Sequence, residues 1–257
     1  MITSAQNPKI QWVRRLQAQA RARAEEGVFV VEGVRLVEEA LQAAWPARLV
    51  LYSPQLKSHR LELVSKFGQT GALVEEVSPH VLASASDTQT PQGILAVIAR
   101  QELPVPENLD FVLIVDALRD PGNLGTMLRS AAAAGAQVVM IAPGTADVFA
   151  PKVVRAAMGA HFHLPICRLD WPAIEKLVHP SLRVYLADSK GERVYTHCNF
   201  TLPLALVVGG EAAGAGGRAR QLADEHLRIP MTGQVESLNA ATAATVLLFE
   251  VARQRAA

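Results

Sequence analysis

The sequence predicts an α/β protein with two parts: a smaller N-terminal α/β domain and a C-terminal α/β domain on a parallel sheet. Three observations predict it. Short apolar runs of strand character alternate with helical stretches along the chain, the pattern of a sheet covered on both faces. The run DFVLIVDAL at 110–118 is apolar without polar alternation, as a parallel strand buried on both sides should be. A stretch with two prolines and three acids, QELPVPENLD at 101–110, separates the halves. At 257 residues the chain suits one large or two modest domains, and the division falls at 1–103, a linker at 104–109, and 110–257.

In the first part, residues 10–24 read as a polar helix with Ile10, Val13 and Leu16 on one stripe. A strand at 28–31 leads to a helix at 34–44 that stops before Pro46. A strand at 47–53, a helix at 55–67 ending at Gly68, a strand at 72–77, a short helix at 79–84 and a strand at 94–99 complete it. The second part opens with the strand at 110–116, then a turn, RDPGN, and a helix at 124–134 that Gly135 ends. Strand 137–142, helix 151–158, strand 161–167, helix 171–178 and strand 183–188 follow. Strand 203–210 runs into EAAGAGG; strand 226–231 and a final helix at 239–254 close the chain. In such sheets ligands bind at the carboxyl ends of the strands.

Composition excludes several classes. No window approaches about 18 uninterrupted apolar residues, which argues against a membrane helix. The start, MITSAQNPKIQWVRRLQ, has no apolar signal core, so the expected location is cytoplasmic. Cys167 and Cys198 are too few for a disulfide framework and read as reduced thiols. His161 and His163 alternate on the strand at 161–167, but a metal needs a third ligand and none clusters with them, so no metal is expected. No G-x-S-x-G elbow or P-loop occurs. Residues 1–24 carry Lys9, Arg14, Arg15, Arg21 and Arg23 with no acid, either a phosphate-facing patch or a solvated helix face. Aromatics make up 5% of the chain, which disfavours base-stacking platforms.

Three segments carry chemistry. In Asp120-Pro-Gly-Asn-Leu-Gly-Thr-Met-Leu-Arg129, Asn123 is placed to cap a helix, and Arg129 follows roughly 9 Å along its axis. An Arg there offers forked donors to a phosphate or ribose. In Val207-Val-Gly-Gly-Glu-Ala-Ala-Gly-Ala-Gly-Gly217, glycines after a strand let a ligand approach the backbone. Gly214 to Ala219 also matches G-x-G-x-x-A, but no tight turn directly follows the strand, so a nicotinamide site is a poor fit. The third segment, Ile229-Pro-Met-Thr-Gly-Gln-Val-Glu-Ser-Leu-Asn239, is a Gly-containing loop in which Ser237 or Asn239 caps the last helix. Glu211 and Glu236 are candidates for an acid and base pair.

Together these segments resemble the SpoU (TrmH-like) family of RNA ribose 2′-O-methyltransferases, of the SPOUT class. Asn123, Gly125 and Arg129 match its Asn-x-Gly-x-x-x-Arg motif. Leu206 to Gly216, around Glu211, matches its strand and Gly-x-Glu motif. Ile229 to Asn239 matches its Ile-Pro-Met-x-Gly-x-x-Glu-Ser-Leu-Asn motif in full. Pro151 to Ala160, with Arg155, is similar to the family's connecting segment. Residues 4–10 and 29–35, ending at Arg35, are similar to its L30e-like substrate-binding domain. The chain departs from the family at Ala157, Ala212 and Ala240-Ala241.

The resemblance implies a deep trefoil knot, S-adenosylmethionine as methyl donor, a homodimer formed through the C-terminal domain, and structured RNA as substrate. Ribosomal RNA is preferred; transfer RNA, or a non-catalytic RNA-binding role, is the alternative. It implies catalytic roles for Arg129, Asn123, Asn239 and Ser237. It implies cofactor contacts from Val208, Gly209, Gly210, Glu211, Gly214, Ile229, Met231, Val235, Ser237 and Leu238. RNA contacts fall to Lys9, Arg14, Arg15, Arg21, Arg23, Arg35 and Arg155.

Overall fold

The computed structural model describes residues 1–57, 60–210 and 214–256. The chain divides into two compact units, Met1–Glu102 with Asp147–Phe162, and Leu103–Ala146 with His163–Ala257.

The first unit begins with α1 (Pro8–Ala18), whose Asn7 cap accepts from the Lys9 N–H and whose Ile10, Val13 and Leu16 are buried. The expected helix at 10–24 is in fact two. Gln19 takes an extended conformation that separates α1 from α2 (Ala20–Glu26), and left-handed Gly27 ends the pair. Then follow β1 (Val28–Glu32), α3 (Val34–Gln42), β2 (Ala47–Tyr52), α4 (Leu61–Gln69), β3 (Leu73–Glu76), α5 (Pro79–Ala85) and β4 (Ile94–Ala99). Helix α4 starts later than expected, at residue 61. The sheet order is β1-β4-β2-β3; β4 pairs antiparallel with both neighbours and β2 with β3 is parallel.

The second unit opens with β5 (Phe111–Asp116), α6 (Pro121–Ala134) and β6 (Val138–Ile141). The chain then supplies α7 (Pro151–Ala157) to the first unit, and returns with β7 (Ile166–Arg168) and α8 (Trp171–Val178). It continues as β8 (Arg183–Ala187), β9 (Arg193–Val194), β10 (Leu204–Gly209), α9 (Gly217–Leu222), β11 (Glu225–Arg228) and α10 (Ala240–Arg255). The sheet order is β7-β6-β5-β10-β8-β11-β9, and every pairing is parallel. β5 and β10 lie at its centre with all residues buried, as their uninterrupted apolar sequence requires.

Residues 147–162 correct the contiguous division at 110. They pack on the face of β1 that Phe29 presents. The Phe29 ring lies 5.1 Å from Phe149 and 6.0 Å from Phe162, and Phe162 meets Trp45 edge-on at 5.1 Å. The Arg100 guanidinium stacks over Phe149 at 4.0 Å. His161 does not lie on a strand with His163. It sits in a short 3₁₀ turn, Ala160–Phe162, 3% exposed, with Nε2 donating to the Val148 carbonyl at 2.7 Å.

Burial holds His161 down to about 4, against upward pushes from the Val148 carbonyl and Asp147, while Arg100 adds to the lowering. The neutral ring is therefore the folded form, and the unfolded chain binds the extra proton. Stability should be fully present above pH 6.5 and fall as pH drops from 6.5 toward 4, by up to about 3 kcal/mol. Urea unfolding of wild type and His161→Gln across that range checks this, and the variant should lose most of the slope.

Candidate active site

The parallel sheet brings the carboxyl ends of β5, β8 and β10 together. β5 ends in Asp116, after which Ala117 adopts a left-handed conformation, φ 52°. A Cβ on Gly210 would stand 2.6 Å from the Ala117 carbonyl oxygen, so only glycine fits there. A Cβ on Gly209 would stand 2.3 Å from the Ala215 nitrogen, where the chain folds back across the end of β10. Gly210 and Gly214 pair there as an isolated antiparallel bridge. Asp116 takes the Gly216 N–H at 2.7 Å.

Beside this crossing lies a cleft of about 640 Å³, within the usual size of a small-molecule site. Val208, Gly209, Gly210, Gly214, Ile229, Met231, Ser237 and Leu238 all line it, as do Ala215, Leu227, Glu236, Asn239, Ala240 and Leu247. Val235, also expected to touch the cofactor, is 63% exposed and does not line the cleft. Glu211 lies outside the described residues, so its pairing with Glu236 has no geometry here.

Helix α6 starts one turn earlier than its sequence suggested. Asp120 is the cap and its carboxylate accepts from the Asn123 N–H at 2.7 Å, with Pro121 preset at the first helical position. Asn123 therefore has a side chain available for other work: its Oδ1 accepts from Asn239 Nδ2 at 3.0 Å. Asn239 caps α10, its Oδ1 accepting from the N–H groups of Ala241 and Thr242. One amide thus fixes a helix start with its oxygen and the opposite asparagine with its nitrogen. Ser130 and Thr245 hydrogen-bond at 2.7 Å between α6 and α10. Asn123, Thr126 and Arg129 run at three-residue spacing along the less buried face of α6. Arg129 is exposed and makes no ion pair with the described residues.

Two residues that sequence reasoning did not single out support this site: Asp188 lines the cleft, and Asp116 holds the Gly216 N–H next to it. Asp116 and Asp188 each follow an apolar strand run, which was the available signal. Burial works to raise the Asp188 carboxyl, but the Lys190 N–H, the Arg220 guanidinium and His226 outweigh it and hold it below the ordinary carboxylate range.

The expected RNA-facing cations separate into two groups. Arg23 is not part of a phosphate-facing surface: it is 3% exposed, paired with Asp147 at 2.7 Å, and donates to the Leu16 and Gln17 carbonyls. Lys9 pairs with Glu75, Arg15 with Glu26, Arg21 with Glu25 and Arg155 with Asp87. Glu75, Asp87 and Asp147 are remote in sequence, so a count over residues 1–24 overstates the local field. Arg14 and Arg35 are exposed and pair with no described acid. Among the described residues no cluster of His, Cys, Asp or Glu could hold a metal, and no helix is long and apolar enough to cross a membrane.

A strand-end cleft walled by glycine backbone, with Asn239 on its wall bonded to Asn123, is a small-molecule site in which main-chain groups meet the ligand. The chain belongs to the SpoU rRNA Methylase family, whose model matches residues 110–249; residues 7–96 match the MRM3-like substrate binding domain. Among relatives, the 23S rRNA (guanosine(2553)-2′-O)-methyltransferase RlmP of Bacillus subtilis (strain 168) is 34% identical over 97% of this chain and 98% of its own. An AdoMet-bound rRNA methyltransferase from Sinorhizobium meliloti superposes with a TM-score of 0.87 at 31% identity, covering 98% of this chain and 97% of that one. The SpoU methyltransferase AviRb from Streptomyces viridochromogenes, in complex with AdoMet, gives 0.85 at 31% identity over 98% and 99%.

The dual role of Asn239 is separable. Asn239→Asp keeps the capping oxygen and should unfold within about 0.5 kcal/mol of wild type, whereas Asn239→Ala should lose about 1–2 kcal/mol by urea denaturation.

Proposed function

We propose that this protein transfers a methyl group from S-adenosylmethionine to a ribose 2′-hydroxyl in ribosomal RNA. The observation that carries the reading is the cleft at the crossing of β10. Its walls are backbone of Gly209, Gly210 and Gly214, with Val208, Leu227, Ile229, Leu238 and Leu247 supplying apolar surface. That combination suits an adenosine, held by main-chain polar groups and sandwiched by aliphatic side chains. The names of the relatives, which act on 23S or other rRNA, favour a ribosomal substrate.

S-adenosylmethionine supplies an electrophilic methyl on sulfur, so the chain's task is to align and activate the sugar oxygen. Alignment alone contributes several kcal/mol. A guanidinium holds its proton too tightly to serve as a base, so Arg129 acts by stabilising the developing alkoxide. The hydroxyl proton passes to a substrate phosphate oxygen or to water. Asn123, fixed by Asn239, orients the ribose, and Ser237 lies at the cleft wall beside them.

The first unit serves as an L30e-like RNA-binding domain and the second as the catalytic domain. The close backbone crossing at Gly209 supports a chain threaded through a trefoil knot. Exposed Phe249 on α10 and Val235 in the preceding loop support a homodimer built on that face. The two thiols, with no disulfide, fit a cytoplasmic enzyme.

Mapping ribose methylation across total RNA from cells with and without the protein tests the reading; loss of one or a few 23S-type sites is expected. A change confined to transfer RNA would move the substrate, and no change in any RNA would remove the activity. Arg129→Ala should lower transfer by more than about 100-fold while S-adenosylhomocysteine affinity stays within about twofold. Arg14→Glu with Arg35→Glu should weaken RNA binding and reduce the magnitude of its log-log salt slope by about 2, read from filter binding across a salt series.

A further inference from the structure

We propose that Asp116 is a positioning residue for the cofactor cleft: together with Arg220 it clamps one peptide group, that joining Ala215 to Gly216, from both ends. The N–H of this peptide donates to Asp116 Oδ2 at 2.7 Å, and its carbonyl accepts from Arg220 Nε at 3.3 Å. Arg220 is itself held by Asp188, through Nη1 at 2.7 Å. β10 lies between β5 and β8, and Asp116 and Asp188 stand at the ends of those two flanking strands. The loop that folds back over the end of β10 is therefore tied to the strand on either side.

The contacts are specific. Asp116 is 4% exposed and replaces the apolar residues that fill the rest of β5. No cation among the described residues pairs with it, so its buried carboxylate is held by the backbone donor it serves. A Cβ on Gly216 would come within 3.3 Å of Asp116 Oδ2, so glycine sets the length of the strut. Gly214 and Ala215, on the cleft wall, inherit their orientation from the clamped plane. Fixing that plane before the ligand arrives removes an ordering cost from binding.

This inference rests on the reading that the cleft holds S-adenosylmethionine, and the test separates the two. Calorimetry with S-adenosylhomocysteine on the full chain should show Asp116→Ala weakened by about tenfold and Asp116→Asn, which keeps an acceptor oxygen, by no more than about threefold. Arg220→Ala should weaken it as well, and the double variant should lose less than the product of the two, because both act on one peptide. RNA affinity, and kcat at saturating donor, should stay within about twofold of wild type. Hydrogen exchange at 214–217 should quicken in each single variant without ligand.

Wild-type affinity in folded Asp116→Ala, or multiplicative losses in the double variant, would overturn the clamp. If Asp116→Ala does not fold, wild-type affinity and wild-type exchange in Arg220→Ala would do so. A wild-type protein that binds no S-adenosylhomocysteine removes the proposed function, and the exchange rates then decide the clamp alone.

Discussion

The structure turns on a place where backbone must touch backbone. At the end of β10 the chain runs beneath its own later segment with no room for a side chain at Gly209, and beside the Ala117 carbonyl with none at Gly210. Parallel strands deliver several loops to this one edge, and the polar groups that the crossing displaces need partners. Side chains supply them. Asp116 serves the Gly216 amide, Asp188 fixes Arg220, and the Thr145 hydroxyl takes the Val115 carbonyl. The strain of a left-handed Ala117 is tolerated in the same corner, where surrounding packing overdetermines the turn.

Helix α10 lines the cleft with Ala240, Ala243 and Leu247, and α6 is bonded to α10 through Ser130 and Thr245 and to its Asn239 cap through Asn123. Leu124, Met127, Leu128 and Ala131 bury one side of α6, leaving Asn123 and Arg129 on the less buried row. α10 begins at Asn239, so the residue that starts the helix also sets the Asn123 amide. A shift of either helix along its axis would disturb both the cap and the asparagine pair. The site's precision comes from helix packing, and its openness from the loop at 232–237, where every residue is exposed.

Much of this was legible in the sequence. β5 and β10 declare themselves because unbroken aliphatic runs have no other comfortable place, and α8 and α10 because their caps and apolar spacing agree. The glycines around 209–214 announced a backbone-lined cleft. Errors arose where tertiary contacts outrank local ones. Asn123 and Asp120 are both good caps, and Pro121 tips the choice toward the earlier one. Arg23 reads as a surface cation until Asp147, more than a hundred residues later, neutralises it inside the fold. His161 alternates with His163 as in a strand, yet the aromatic cluster with Phe29 and Phe149 draws it into a 3₁₀ turn. Asp116 belongs to no motif, because the role of a lone acid at a strand end depends on an amide a hundred positions away.

The excursion at 147–162 has a consequence for the architecture of the gene. The first unit is not a contiguous stretch of coding sequence: its β1 face is completed by Phe149, His161 and Phe162, encoded after the central strands of the other unit. A ribosome releasing residues 1–102 has made a sheet with one hydrophobic flank still bare. Its cover is encoded only after β5, α6 and β6, so moving residues 1–102 alone between relatives would leave Phe29 without the Phe149, His161 and Phe162 that pack on it.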